Sequence, residues 1–386
     1  MKKSPLFTLF LIVFFDLVGF GIVIPILPYY AQSYGASAWT LGWLMASYSL
    51  MQFLFAPVWG KISDHIGRRP VLLISIFGSC ISMLVLGFAP SLTWLFIGRF
   101  FAGICGANIS TAFAYITDVT TEENRTKGMG VIGAGFGLGF IFGPAVGGVL
   151  SRFGYAAPMF AGSGLALINL FFAYFKLHEP GLSTEIRASH RNKRFDWKLN
   201  RKILADPRTR FATLTFLLVT LAVAQMEMSF AIFLKAKFNF TAESAGILLA
   251  LSGLIMAGMQ GGLIGKLSKK WGEINLIRYG SLLCAIALIG FAHAPTIALI
   301  VCSLFLLGVG HGALHPSLSS LASKGAQKDL RGATLGVFQS GSSLARIIGP
   351  PVAGFLYDHA GQEWPFYCGA VILGGCFLMT LSAIKA

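Results

Sequence analysis

The feature that most constrains this chain is a series of long apolar runs, each separated from the next by a polar break. A helix needs about 20 mostly apolar residues to cross the roughly 30 Å hydrocarbon layer of a membrane. The runs of about this length are Leu6–Tyr30, Leu41–Gly60, Val71–Ala89, Leu92–Tyr115, Gly128–Leu150, Ala156–Phe175, Phe211–Leu234, Ala245–Gly265, Leu276–Ala292, Thr296–Leu321, Ala333–Leu356 and Pro365–Ala383. The sequence therefore predicts an all-α polytopic membrane protein with twelve transmembrane helices.

Composition and charge exclude the main soluble classes. Charged residues make up only 12% of the 386 residues, whereas soluble domains carry about 25%. Of the 30 lysines and arginines, 25 lie in or at the edge of the two tails and the even-numbered loops. Because these residues accumulate on the cytoplasmic side, we expect both termini in the cytoplasm and the chain in a bacterial inner membrane. Topology thereby explains the net charge of +15, and no nucleic-acid partner is predicted.

The chain divides into two similar halves. A long polar stretch predicts a cytoplasmic linker at 178–210, between six-helix bundles at 1–177 and 211–386. The segments Gly60–Gly67 and Gly265–Gly272 resemble each other and follow the second helix of each half. A duplicated six-helix unit is typical of transporters that rock two bundles about a central site. The repeat therefore favours a transporter over a membrane enzyme or receptor.

Two glycine-containing motifs stand at defined places in the first half. The polar loop after the second span carries Gly60, Asp64, Gly67, Arg68 and Arg69, in which the glycines permit a tight turn and Asp64 can pair with an arginine. Small residues and a proline recur along the fifth span, at Gly130, Gly139, Gly143, Pro144, Gly147 and Gly148. Such glycines flatten one helix face for close packing, and the proline bends the helix.

These motifs carry a resemblance to a known family. The loop is similar to the signature of the major facilitator superfamily, and the fifth-span spacing resembles that of its drug/proton antiporters. The segment from Asp16 to Pro28 in span one is similar to the twelve-helix efflux branch, especially tetracycline/proton antiporters. Arg99, with Gly103 and Gly106 after it, resembles the intramembrane arginine motif of that branch. The resemblance covers essentially the whole chain and implies the major facilitator fold.

The resemblance also implies roles for individual residues. Asp64 would join the cytoplasmic ends of the two halves against the start of span eleven, and Arg99 would take part in proton coupling. Asp16 and Gln52 would face the transport cavity, and Pro144 with its glycines would shape the seam between the halves. The sequence departs from tetracycline exporters because spans three and nine contain no acidic residue.

Ionisable groups at bilayer depth are costly unless they face a cavity or a partner. Asp16, Arg99 and Glu227 are therefore predicted to be proton-coupling residues, Glu227 being a replacement acid in the second half. Polar or adaptable side chains inside the other spans are predicted to line the substrate cavity, at Gln52, Asn108, Gln225, Met226, Gln260, Gln339 and Arg346. Hydrogen bonds between helices suit the neutral members of this set equally well.

No enzymatic chemistry or cofactor is predicted. The sequence has no phosphate-binding loop, nucleophile elbow or metal-ligand cluster, and the pair His311 and His315 lacks a third ligand at suitable spacing. We therefore expect a monomeric secondary transporter that exports small amphiphilic or cationic compounds by alternating access, with protons as the coupling ion. Two alternatives stay open: transport of an amphiphilic metabolite, lipid or siderophore by the same fold, and, more distantly, a membrane sensor or enzyme.

Overall fold

The computed structural model of the protein describes residues 5–106, 109–120, 122–180, 197–326 and 330–382, and this part of the chain is helical with no β-strand. The helices of the first half are α1 Pro5–Ser33, α2 Ala38–Ile66, α3 Arg68–Gly87, α4 Leu92–Cys105, α5 Ile109–Val119, α6 Glu122–Leu150 and α7 Ala156–Lys176. Those that follow are α8 Trp197–Ala205, α9 Pro207–Phe238, α10 Ala242–Gly258, the π-helical turn Met259–Leu263, α11 Ile264–His293, α12 Ile297–Gly325, α13 Arg331–His359 and α14 Trp364–Ser382.

The predicted class, an all-α polytopic membrane protein, is confirmed. In the described residues, 8 helical stretches are long and apolar enough to cross a membrane, and two shorter apolar helices lie at Leu92–Cys105 and Gly137–Phe153. The described residues of all twelve predicted spans are helical apart from a few positions at their ends, and residues 107–108 of the fourth span lie outside the described part. One loop differs from the prediction. The residues between spans eight and nine continue as helix, with a kink at Gly272, where φ is 74°.

Contacts divide the described residues into two compact units. Unit 1 falls within Met1–Gly35, Ser47–Arg194 and Thr241–Ala250. Unit 2 falls within Ala36–Ala46, Phe195–Phe240 and Leu251–Ala386. The predicted boundaries at 177 and 211 stay a prediction, and residues 181–196 of the predicted linker lie outside the described part.

In unit 1, α1 packs against α6 and α7, and α3 packs against α4 and α7. The side chains that meet there are apolar, and Leu9, Leu72 and Ile76 are almost completely buried in one cluster. The α1–α6 pair is unusually close because glycines meet on both sides. A Cβ atom built on Gly21 would lie 2.7 Å from the carbonyl oxygen of Gly139. Only a residue without a side chain allows this approach, as small-residue packing in membranes predicts.

In unit 2, α9 is the central helix and packs against α12, α13 and α14. It begins at Pro207, where the preceding Asp206 side chain accepts a hydrogen bond of 2.8 Å from the Thr209 N–H. An aspartate cap followed by proline is a strong helix start. It ends at Asn239, which adopts the left-handed conformation with φ of 53°. These signals set the length of the helix that carries Glu227.

Candidate functional site

Unit 1 contains a small cavity among its apolar helices, with a volume of about 50 Å³. Its lining is mostly apolar, and the polar side chains that reach it are Asp16, Tyr48, Ser79, Ser82 and Arg99. A buried water needs roughly 10–15 Å³ of such volume and several polar partners. The cavity therefore has space for a few water molecules beside a carboxyl group and a guanidinium cation. It brings together two of the three predicted proton-coupling residues.

Arg99 is held in this cavity by α4. The side chain is buried, with 6% relative exposure, and its guanidinium carbon lies 4.6 Å from the centre of the Tyr48 ring. A desolvated cation over an aromatic ring gains about 2 kcal/mol. The Nε atom of Arg99 has no hydrogen-bond partner in the described structure. Because a buried donor is costly to leave unpaired, this atom is suited to a water or to a group that arrives during transport.

Tyr48 is in turn tied to the end of α4 by a second side chain. The Gln52 amide donates a hydrogen bond of 2.9 Å to the carbonyl oxygen of Gly106 and a longer one of 3.4 Å to the Tyr48 hydroxyl. Gly106 caps the C-terminal end of α4, so this hydrogen bond joins the end of α4 to α2. Gln52 thus contacts Tyr48, which lines this cavity, and its place in a substrate cavity stays a prediction. Tyr48 was not predicted, although its position four residues before Gln52 puts both on one helix face.

The loop motif forms a buried ion cluster inside unit 1. The Arg68 guanidinium contacts the Asp64 carboxylate at 2.6 Å and the Asp118 carboxylate at 3.0 Å. It also donates a hydrogen bond of 2.5 Å to the Ser63 hydroxyl. Two carboxylates compensate the one buried cation, which suits a charge removed from water. Asp118 follows the fourth span and was missed in the sequence because nothing in its local pattern distinguishes it.

The same loop is fixed from the other side by Glu179. Its two carboxylate oxygens accept hydrogen bonds of 2.7 and 2.8 Å from the backbone N–H groups of Arg68 and Arg69. These N–H groups open α3, so the carboxylate caps the helix and faces the positive end of its dipole. Gly67 precedes them with φ of 104°, a conformation that favours glycine. The Arg69 side chain donates to the Tyr174 carbonyl at 2.7 Å.

The glycines of the fifth span pack mainly against α1 of the same unit. Cβ atoms built on Gly139 and Gly143 would lie 2.7 Å from the Leu17 Cβ and 2.5 Å from the Gly21 Cα. Gly147 faces the backbone of α1 one turn further on. Two members of the motif also meet the start of α10, because Gly148 and the Pro144 carbonyl lie against Gly246. Gly130 lies within α6.

The remaining predicted residues lie mostly in unit 2. Gln225 and Met226 are buried, with relative exposures of 1% and 4%. Gln260 lies in the π-helical turn, a feature that often marks functional sites. The side chains that are partly exposed are Glu227, Gln260, Gln339 and Arg346. Asn108 lies outside the described residues.

Arg346 and Glu227 are the two charged residues among the predicted cavity and coupling residues of unit 2, and each lies within the electrostatic reach of the other. Arg346 is the charged neighbour of Glu227 and also acts on His311 and His315. No group of three potential metal ligands occurs among the described side chains. The three predicted proton-coupling residues therefore occupy two places, Asp16 and Arg99 at the cavity of unit 1 and Glu227 in unit 2.

Comparison with known proteins agrees with this architecture. Residues 9–350 match the family model described as Major Facilitator Superfamily. The chain is 30% identical to the tetracycline resistance protein, class B, of Escherichia coli, over 95% of this chain and 94% of the relative. It is likewise 30% identical to multidrug resistance protein 2 of Bacillus subtilis (strain 168), over 97% and 96%.

Solved structures show the same fold at lower identity. A bacterial homologue of the human lysosomal transporter Spinster has a TM-score of 0.80 and 15% identity, covering 100% of this chain and 98% of that one. The human organic anion transporter MFSD10 has a TM-score of 0.73 and 24% identity, covering 98% and 99%.

Proposed function

Because the chain belongs to the major facilitator superfamily, a family of multi-pass membrane transporters, we propose that it exports small amphiphilic or cationic compounds in exchange for protons. Its relatives of about 30% identity include tetracycline resistance and multidrug resistance proteins. The observation that carries the proposal is the cavity of unit 1, where the acid Asp16 and the buried cation Arg99 line a space for a few water molecules. A titratable acid beside a fixed cation inside the membrane is suited to bind and release a proton.

The proposed cycle uses protonation to release the substrate. A proton that enters from outside neutralises Asp16 or Glu227 and weakens the hold on a cationic or amphiphilic compound. Deprotonation toward the cytoplasm restores the affinity, and the two bundles rock between the two openings. Protons are the coupling ion in this proposal, and no resident cofactor is needed. We place the chain as a monomer in a bacterial inner membrane, with both termini in the cytoplasm.

The free energy released by one proton is large enough to drive export of a substrate against its concentration gradient. One proton that crosses 100 mV supplies about 2.3 kcal/mol, and one pH unit adds about 1.4 kcal/mol. Together they sustain a gradient of roughly a few hundredfold for a neutral substrate. A cation exchanged for one proton moves no net charge, so it draws on the pH component alone. Sensitivity of uphill transport to membrane potential therefore reports the charge of the substrate.

Proton flux in proteoliposomes with an internal pH-sensitive dye tests the proposal. We expect tetracycline or a lipophilic cation such as tetraphenylphosphonium to evoke flux in the wild type and not in Asp16→Asn. Glu227→Gln tests the second acid, and Glu363→Gln, in the turn just before α14, is a matched control that should keep full flux. Binding of these compounds without any proton flux in the wild type would overturn the antiport proposal. Accumulation inward under an acid-outside gradient would point instead to a symporter.

A further inference from the structure

Unit 2 contains four ionisable side chains on three helices that pack against one another. Glu227 lies on α9, His311 and His315 on α12, and Arg346 on α13. All four are partly exposed, and within the described residues no hydrogen bond or ion pair joins them to one another. Groups of this kind are rare at membrane depth and mark ion or substrate pathways. The proposed export function uses Glu227 and leaves the two histidines without a role.

Contacts between aromatic rings show which residues of the three helices lie at the same height along the membrane normal. The Phe216 ring of α9 lies 5.2 Å from the His315 ring and is stacked at 4.2 Å on the Phe338 ring of α13. Further along, Gly349 of α13 meets Ala224 of α9, so these two helices run in the same direction. The intervening helix α12 runs in the opposite direction because consecutive spans alternate. His315, Phe216 and Phe338 therefore form one layer near the predicted cytoplasmic ends of these helices.

Helical rise then orders the four groups along the membrane normal. His311 lies one turn from His315, about 6 Å above the layer. Arg346 follows Phe338 by eight residues, about 12 Å above it, and Glu227 follows Phe216 by eleven, about 16 Å above it. The four groups thus form a ladder in the order His315, His311, Arg346, Glu227. Neighbouring groups are separated by about 4–6 Å along the helix axes, a spacing that side chains or a bridging water can span.

The charges along this ladder favour movement of a proton away from Glu227. The Arg346 guanidinium attracts the carboxylate that remains when Glu227 loses its proton, and it repels a positive charge on either imidazole. A proton that reaches a histidine is therefore pushed onward. Of the elements packed around α12, the π-helical turn contributes Met259, and α11 contributes the buried thiol of Cys284 beside Gly310. Near the level of His315, α11 also carries Arg278, whose guanidinium donates hydrogen bonds to Thr380 of α14.

We propose that His311 and His315 form the path by which a proton leaves Glu227 for the cytoplasm, an inference that rests on the proposed antiport. The Glu227 carboxyl group gives its proton to one ring nitrogen of His311 through a chain of waters that passes Arg346. The opposite nitrogen of that ring passes a proton to His315, which releases one to the cytoplasmic side. Both imidazoles end neutral, the carboxylate is held by Arg346, and no electrons are transferred. Imidazole suits this task because its two nitrogens accept and donate in turn.

The test compares His311→Asn, His315→Asn and the double variant with His359→Asn, whose ring is stacked on Phe355 at the end of α13, away from the ladder. Proteoliposomes with an internal pH dye and the probes tetracycline and tetraphenylphosphonium report proton flux. We expect the double variant to lose at least about tenfold in flux, since an acid–base group contributes roughly 10²-fold or more. Probe binding should change little, and His359→Asn should equal the wild type.

Chemical rescue separates a proton path from a structural role. Azide, a small base that accepts a proton to form hydrazoic acid and then releases it, should restore flux in the double variant, whereas it cannot repair packing. If the asparagine variants do not bind the probes, glutamine at both positions provides the second test. Unchanged flux in the double variant, or lost flux that azide does not restore, would overturn the histidine path alone. Absence of probe-evoked flux in the wild type would overturn the antiport proposal and the path with it.

Discussion

Replacement of Gly143 by alanine tests the contact between α1 and α6. The added Cβ would lie 2.5 Å from the Cα and 2.7 Å from the carbonyl carbon of Gly21. Carbon atoms in ordinary contact are about 3.5–4.0 Å apart. Both atoms that it meets are backbone, so no rotamer change can relieve the overlap. The two helices must therefore separate by roughly 1 Å, and the contacts along their interface weaken together.

Gly137 supplies a matched control in the same helix. A Cβ atom at this position meets nothing within 4 Å, so Gly137→Ala adds only helix propensity, worth up to about 1 kcal/mol. Overpacking of a tight contact costs about 1–3 kcal/mol. Because Gly143→Ala gains the same propensity, we expect it to be less stable than Gly137→Ala by about 1–3 kcal/mol.

Thermal unfolding of the purified variants in one detergent measures this difference. Gly143→Ala should unfold at a lower temperature than the wild type, and Gly137→Ala at the same temperature or a higher one. A change of side-chain entropy alone would affect both positions alike, so equal unfolding temperatures in the two variants would refute the steric reasoning. A normal stability with lost transport would indicate that the contact acts on the cycle instead of the fold.

Three further predictions concern ion contacts. Asp118→Ala should destabilise the protein by about 3 kcal/mol, as measured by thermal unfolding. This is near the lower end of the cost of breaking a buried ion pair, because Arg68 still contacts Asp64. Glu179→Ala should cost about 0.5–2 kcal/mol and increase amide hydrogen exchange in the first turn of α3, where the cap is lost. The ion pair with Lys324 lowers the pKa of Glu273 from its usual 4.5. Its stabilisation is therefore complete above that value and lost as pH falls through the lowered pKa, so Glu273→Gln should differ from the wild type in unfolding temperature near neutral pH and converge with it in acid.

The helices and their membrane location follow from the sequence because a bilayer leaves few choices. Backbone groups in hydrocarbon must pair internally, so an apolar run of sufficient length becomes a helix whatever its neighbours are. The loop motif was predictable for a similar reason, since Asp64 and Arg68 are four residues apart and their contact is local. The glycine spacing of α6 predicted a flat face in the same way. These inferences depend on separations of a few residues, which a sequence displays directly.

The tertiary structure decided which distant residues meet. Asp118 and Glu179 contact Arg68 across separations of 50 and 111 residues, and no local pattern indicates either contact. Tyr48 acquires its importance only because α4 places Arg99 over its ring. From the sequence, the two histidines of α12 are known only to be four residues apart. The contacts among Phe216, His315 and Phe338 give their height in the membrane relative to Glu227 and Arg346. The sequence shows which residues share a helix face, because that depends only on their spacing. Which side chain of another helix they contact depends on how the helices pack, and this is fixed only in the folded molecule.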